Sequence, residues 1–93
     1  LAGEARARSE LIDACYLPLF AEPHLLATAE AYLERTPSLE GTARALFVHP
    51  NTVRYRLGRI ADLTGFTPTD PRGSLALRLA LMLGRTEVPA EDL

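Results

Sequence analysis

Six side chains between positions 51 and 59 carry most of the chemistry in this sequence. Asn51, Thr52, Arg54, Tyr55, Arg56 and Arg59 supply an amide, a hydroxyl, guanidinium groups and a phenol. Groups of these kinds bond the edges of bases and the oxygens of phosphates. A helix would sort them by face. Val53, Leu57 and Ile60 are spaced four and three apart and form one apolar stripe. Asn51, Arg54, Tyr55 and Gly58 then face the other way, and the glycine lets a partner lie close. Arginine bonds O6 and N7 of guanine in bidentate fashion, and asparagine bonds N6 and N7 of adenine. Asn51 and Arg54, in the first two turns, are therefore expected to read bases. Thr52, near the helix start, is expected to turn its hydroxyl and backbone N–H toward a phosphate. Arg56 lies toward the buried edge and, with Arg59, is expected to hold the backbone of the nucleic acid. Tyr55 remains open between phosphate contact and packing, and His49 is expected to cap the helix.

The charge pattern supports an anionic partner. The whole chain carries a net charge of −2, which by itself argues against nucleic acid. Its distribution argues the opposite. Residues 41–61 hold Arg44, Arg54, Arg56 and Arg59 and no carboxylate, whereas residues 1–40 and 62–93 are both net acidic. A basic segment inside an acidic chain is a local electrostatic footprint.

These residues need a scaffold, and the composition points to helices. There is no tryptophan, the β-branched content is low, and the core must come mainly from leucine and alanine. Residues 4–16 read as a first helix, with Leu11, Ile12, Cys15 and Tyr16 on one side, ended by Pro18 and Pro23. Residues 24–35 read as a second, with Leu25, Leu26, Ala29 and Leu33 at helical spacing. Ser38 is an N-cap for a short helix over about 39–46, with Glu40 in its first turn. Residues 47–49 form a tight connection, and Pro50 opens a helix that runs to about Thr64. Gly65 is its C-terminal cap. Asp70-Pro71 opens a last helix to about Gly84. Its leucines and Met82 surround much of the circumference, so it should be buried on more than one side, as a central core helix or part of a subunit interface.

Two short helices that cross steeply must approach closely where they meet. Ala43 supplies a small side chain there, and Leu46 and Val48 bracket the turn. The run Leu46-Phe47-Val48-His49-Pro50-Asn51-Thr52-Val53-Arg54-Tyr55-Arg56-Leu57 closely resembles the C-terminal helix-turn-helix domain of the PucR family of bacterial regulators. That family includes purine-catabolism and sugar-diacid regulators. Thr42-Ala43, Leu63-Thr64-Gly65, Asp70-Pro71 and the leucine-rich helix after them match too. The resemblance covers about residues 22–85, and the core of the motif is also similar to the Fis type of helix-turn-helix. Phe47 stands where many such motifs have glycine, which the PucR-like family accommodates.

The resemblance implies an all-α bundle of about five helices containing a Fis-like helix-turn-helix. Its recognition helix, about residues 50–64, would read the major groove of double-stranded DNA. It further implies a transcriptional regulator acting as a homodimer when full-length, with a small-molecule effector sensed upstream of this domain. Residues 1–21 are then a connector helix and loop, 22–85 the DNA-binding domain and 86–93 a frayed tail.

Other classes find little support. No nucleophile is paired with a base, and no glycine-rich phosphate loop is present, so an enzyme is not expected. Cys15 is the only cysteine and cannot form an internal disulfide. His24 and His49 are far apart with no cysteine near them, so neither a metal nor any other cofactor is expected. No apolar run reaches the ~18 residues of a membrane span, and the start does not read as a signal peptide. A cytoplasmic protein follows from these features. The competing reading is a helical module whose arginine face docks an acidic protein.

Overall fold

In a computed structural model, residues 2–88 are described, and they form five helices with no strand among them. Helix α1 is continuous through Ala2–Leu11, a π-helical turn at Ile12–Tyr16, and Leu17–Phe20. Helix α2 comprises Pro23–Glu30 and a π-helical turn at Ala31–Arg35. Helix α3 is Leu39–Leu46, α4 is Pro50–Thr64 and α5 is Pro71–Glu87.

The first helix runs past the proline expected to end it. Pro18 lies within α1, directly after the wide turn in which the Leu17 N–H donates to Ile12 O. An α-helical turn would set the pyrrolidine ring against a preceding carbonyl, and a widened turn gives it room. The break falls at Ala21 and Glu22 instead. There Glu22 leaves helical geometry, and Pro23 occupies the first turn of α2.

Caps delimit the last three helices. The Gly41 N–H donates to Ser38 Oγ at 2.9 Å and opens α3. The Gly73 N–H donates to Asp70 Oδ2 at 3.2 Å and opens α5. Gly65, at φ 80°, closes α4 in the left-handed conformation that glycine adopts without a steric penalty. The last helix passes through Gly84 and ends at Glu87, beyond the expected boundary. Gly84 serves packing, since a Cβ there would collide with the ring of Tyr16. Of the tail expected to fray, Thr86 and Glu87 are thus helical, and residues 89–93 lie outside the described residues.

One core joins all five helices. Cys15, Tyr16 and Leu19 of α1 meet Leu25, Ala29 and Leu33 of α2 and Ala43 of α3. Val53, Leu57 and Ile60 of α4 and Leu77, Ala80 and Leu81 of α5 complete the cluster. Leucine and alanine dominate it, as the composition implies. Burial raises the pKa of the Cys15 thiol, which keeps it protonated and unreactive. Within the single chain the α5 helix is covered on one side, so it is not the central core helix that was one of the two expectations from its leucine content. Leu77, Ala80 and Leu81 are buried, whereas Leu75, Leu79 and Met82 are 53%, 41% and 55% exposed. Arg85 ties α5 to α2 through paired bonds to Glu34 at 2.9 and 2.6 Å. This pair is exposed and contributes at most about 1 kcal/mol.

Ala43 is 2% exposed where α3 meets α4. Ala43→Leu is expected to destabilise the chain by about 1–3 kcal/mol through overpacking. Thermal or urea unfolding checks this, and an unaltered midpoint would show that the crossing is not tight.

Candidate nucleic-acid interface

The geometry of the site begins at the turn between α3 and α4. The Val48 N–H donates to Ala43 O at 3.0 Å, and the Phe47 N–H donates to Arg44 O at 3.3 Å. This pair of bonds is a Schellman motif, with Phe47 in the left-handed region at φ 58° and ψ 45°. Val48 then turns back and packs on the core. A non-glycine residue in this conformation costs about 1–2 kcal/mol, so packing around the turn must outweigh it.

His49 follows with extended backbone, and its Nδ1 accepts the Asn51 N–H at 3.0 Å. The expected capping role is therefore present. The His49 carbonyl accepts from the Thr52 N–H at 2.9 Å and the Val53 N–H at 3.3 Å. Pro50 has no N–H to satisfy. The opening N–H groups of α4 are thus already engaged. This corrects one expectation: the Thr52 backbone N–H is not free for a phosphate, and only its hydroxyl remains.

The helix faces divide as the spacing implies. Val53 and Ile60 are fully buried and Leu57 is 6% exposed. Burying each such side chain contributes about 1.5–3 kcal/mol before the entropy of ordering. Asn51, Arg54, Tyr55 and Gly58 are exposed, and a Cβ at Gly58 would meet nothing. Asn51 and Arg54 are also bonded to each other: Arg54 Nη1 donates to Asn51 Oδ1 at 2.7 Å. The sequence gives no direct sign of this link, although a spacing of three permits it.

The other two arginines differ from each other. Arg56 is half-buried, and its Nη1 donates to Thr28 Oγ1 at 3.5 Å, bracing α4 against α2. Thr28 in turn donates to His24 O at 2.8 Å. Arg59 lies 3.9 Å from Asp62, an exposed pair with little energy in it. Among the described residues, Arg54 and Arg56 pair with no carboxylate. Tyr55, Arg56 and Arg59 face His24 and Leu25 across an open concavity of about 340 Å³, which Glu22 also lines. His24 was not expected beside these residues. It joins the arginines only because α2 packs against α4, and local spacing carries no signal of that.

A close crossing at Ala43, a buried stripe on α4 and an exposed amide–guanidinium face together make a helix-turn-helix. The chain matches the family model described as the PucR C-terminal helix-turn-helix domain over residues 25–83. The chain belongs to this family. It is 48% identical over 90 residues to an uncharacterized protein of Mycobacterium tuberculosis, covering 96% of this chain and 22% of that protein. It is 44% identical over 61 residues to the purine catabolism regulatory protein of Bacillus subtilis, covering 66% of this chain and 12% of that protein. Among solved structures, it is similar to a regulator of polyketide synthase expression from Bifidobacterium adolescentis. The TM-score is 0.84 at 46% identity, over 92% of this chain and 35% of that one. The chain spans less than a quarter of the length of these two curated relatives. The PucR-type domain is a DNA-binding domain of transcriptional regulators, and neither the family nor its named relatives point to an enzyme. No helix among the described residues is long and apolar enough to cross a membrane.

Removing the His49 cap tests the local geometry. His49→Ala is expected to lower stability by about 1 kcal/mol, and His49→Asn to retain most of it. Equal unfolding midpoints for all three proteins would show that the cap contributes nothing.

Proposed function

We propose that α4 is a recognition helix that enters the major groove of double-stranded DNA, with Asn51 and Arg54 setting sequence preference. The observation that supports this most is the exposed pair itself. Asn51 and Arg54 project from the first two turns, opposite the buried stripe, and among the described residues no carboxylate competes for the guanidinium. Their mutual bond leaves the Asn51 amide N–H groups and the remaining Arg54 donors available for base edges. The Thr52 hydroxyl, Arg59 and Tyr55 flank this face and suit phosphate contact. Arg56 both braces α2 and edges the concavity with His24, which fits a phosphate-holding residue better than a base reader. Binding of chromosomal DNA would place the protein in the cytoplasm.

We propose further that the full-length protein works as a homodimer. One recognition helix reads only a few base pairs, and two-fold helix-turn-helix proteins set their recognition helices about 34 Å apart. A small-molecule effector would be sensed by parts of the polypeptide outside this domain. The small share of its curated relatives that this chain covers supports that division.

Selection of bound DNA from a random library supplies the operator. Arg54→Ala is then expected to weaken the preferred site by about 1–3 kcal/mol and relax discrimination at one base pair. Arg59→Ala is expected to weaken all sequences alike and to reduce the salt slope by about one ion. Binding of both variants to single-base operator changes at two salt concentrations checks this. If Arg54→Ala weakened every operator equally, Arg54 would be a phosphate contact. If wild type bound no DNA even at low salt, the acidic-protein reading would return. For the dimer, full-length protein is expected to select a site with internal two-fold symmetry. Binding as a monomer to an asymmetric site would refute it. An effector should alter operator affinity of the full-length protein and leave that of this domain unchanged.

A further inference from the structure

Phe47 has no role that the fold explains. Among the described residues it is the only non-glycine residue with positive φ, and it is 94% exposed. Glycine would hold the same turn with less strain, and an apolar ring gains nothing from standing in water. The Schellman motif does not require the ring either. Its bonds run through the backbone, and Val48 makes the apolar contact that accompanies such a turn. The conformation thus sets a large apolar side chain outward, immediately before the start of the recognition helix.

The surroundings indicate what the ring meets. Phe47 lines an open surface with Ala43 and Val48, alongside Arg44, His49 and Glu40. It lies within residues 41–61, which hold four arginines and no carboxylate. Only three positions separate it from His49-capped Asn51 and the reading face. A partner that reaches both this ring and the neighbouring arginine-bearing face of α4 would be anionic and yet offer an apolar surface. A DNA duplex does both, through its phosphates and through its thymine methyl groups and deoxyribose rings.

We propose that Phe47 is a DNA-contacting residue whose ring packs on the apolar surface of the duplex, next to the bases reached by Asn51 and Arg54. This rests on the DNA-binding reading of α4. The contact displaces no counterion, so its contribution is independent of salt, unlike that of the neighbouring arginines. The strained turn is retained because it aims the ring, and stability is given up for recognition.

The test compares wild type, Phe47→Gly and Phe47→Ala on DNA that wild type selects from a random library. Phe47→Gly is expected to raise the unfolding midpoint and yet weaken binding about tenfold, with an unaltered salt slope. Phe47→Ala, which keeps the Cβ and hence the strain, is expected to lose the same factor, so loosening of the turn is not the cause. Replacing thymine by uracil in the operator separates the two apolar surfaces. If the methyl is the partner, wild type loses that factor on uracil DNA and Phe47→Gly loses none; if the sugar is the partner, neither protein responds. Wild-type binding matched by both variants would overturn the proposal and assign the ring to a protein surface. Failure of wild type to bind any DNA would overturn the reading of α4 itself.

Discussion

The close crossing of α3 and α4 is the constraint on which the rest of the structure depends. It combines a small side chain at Ala43 with two backbone bonds that reverse the chain at Phe47. The bond from the Val48 N–H to Ala43 O fixes how far the chain turns before α4 begins. That turn decides which face of α4 meets the core. Val53, Leu57 and Ile60 are buried because the turn delivers them inward, and Asn51 and Arg54 are exposed for the same reason. A looser crossing would let α4 rotate and would mix the two faces.

Stability and recognition are arranged on separate sides of this unit. The buried side is almost wholly apolar, and its few polar groups are satisfied locally. Thr42 donates to Thr36 O, Thr64 to Ile60 O and Thr28 to His24 O. Among the described residues no buried side-chain polar atom lacks a partner. The exposed side concentrates positive charge on a chain that is acidic as a whole. The start of α4 is closed by His49 and by its carbonyl, so its anion-binding capacity lies in side chains rather than in free backbone N–H groups.

Phe47 shows where the two demands meet. The turn that sets the helix angle also holds the strained and exposed side chain. Local rules favour glycine at that position, and departures from local rules tend to gather at functional surfaces. Arg56 is a milder instance. It braces α2 through Thr28 and still borders the basic concavity with His24.

Much of this was legible in the residues themselves. Ser38, Asp70, His49, Pro50 and Gly65 mark helix ends because capping is a contact between near neighbours in sequence. The stripe at Val53, Leu57 and Ile60 follows from the period of the helix alone. Other features were decided by contacts between distant segments. Gly84 lies inside α5 because the Tyr16 ring packs there. The leucines of α5 divide into buried and exposed sets according to which neighbours reach them, not according to their own hydrophobicity. His24 joins Tyr55, Arg56 and Arg59 only through the packing of α2 on α4. Sequence by itself determined the helices, their caps and the face of α4, since these depend on bonds and periods spanning a few residues. The tertiary structure decided which apolar faces are covered and which charges converge, since both depend on where the chain returns to itself.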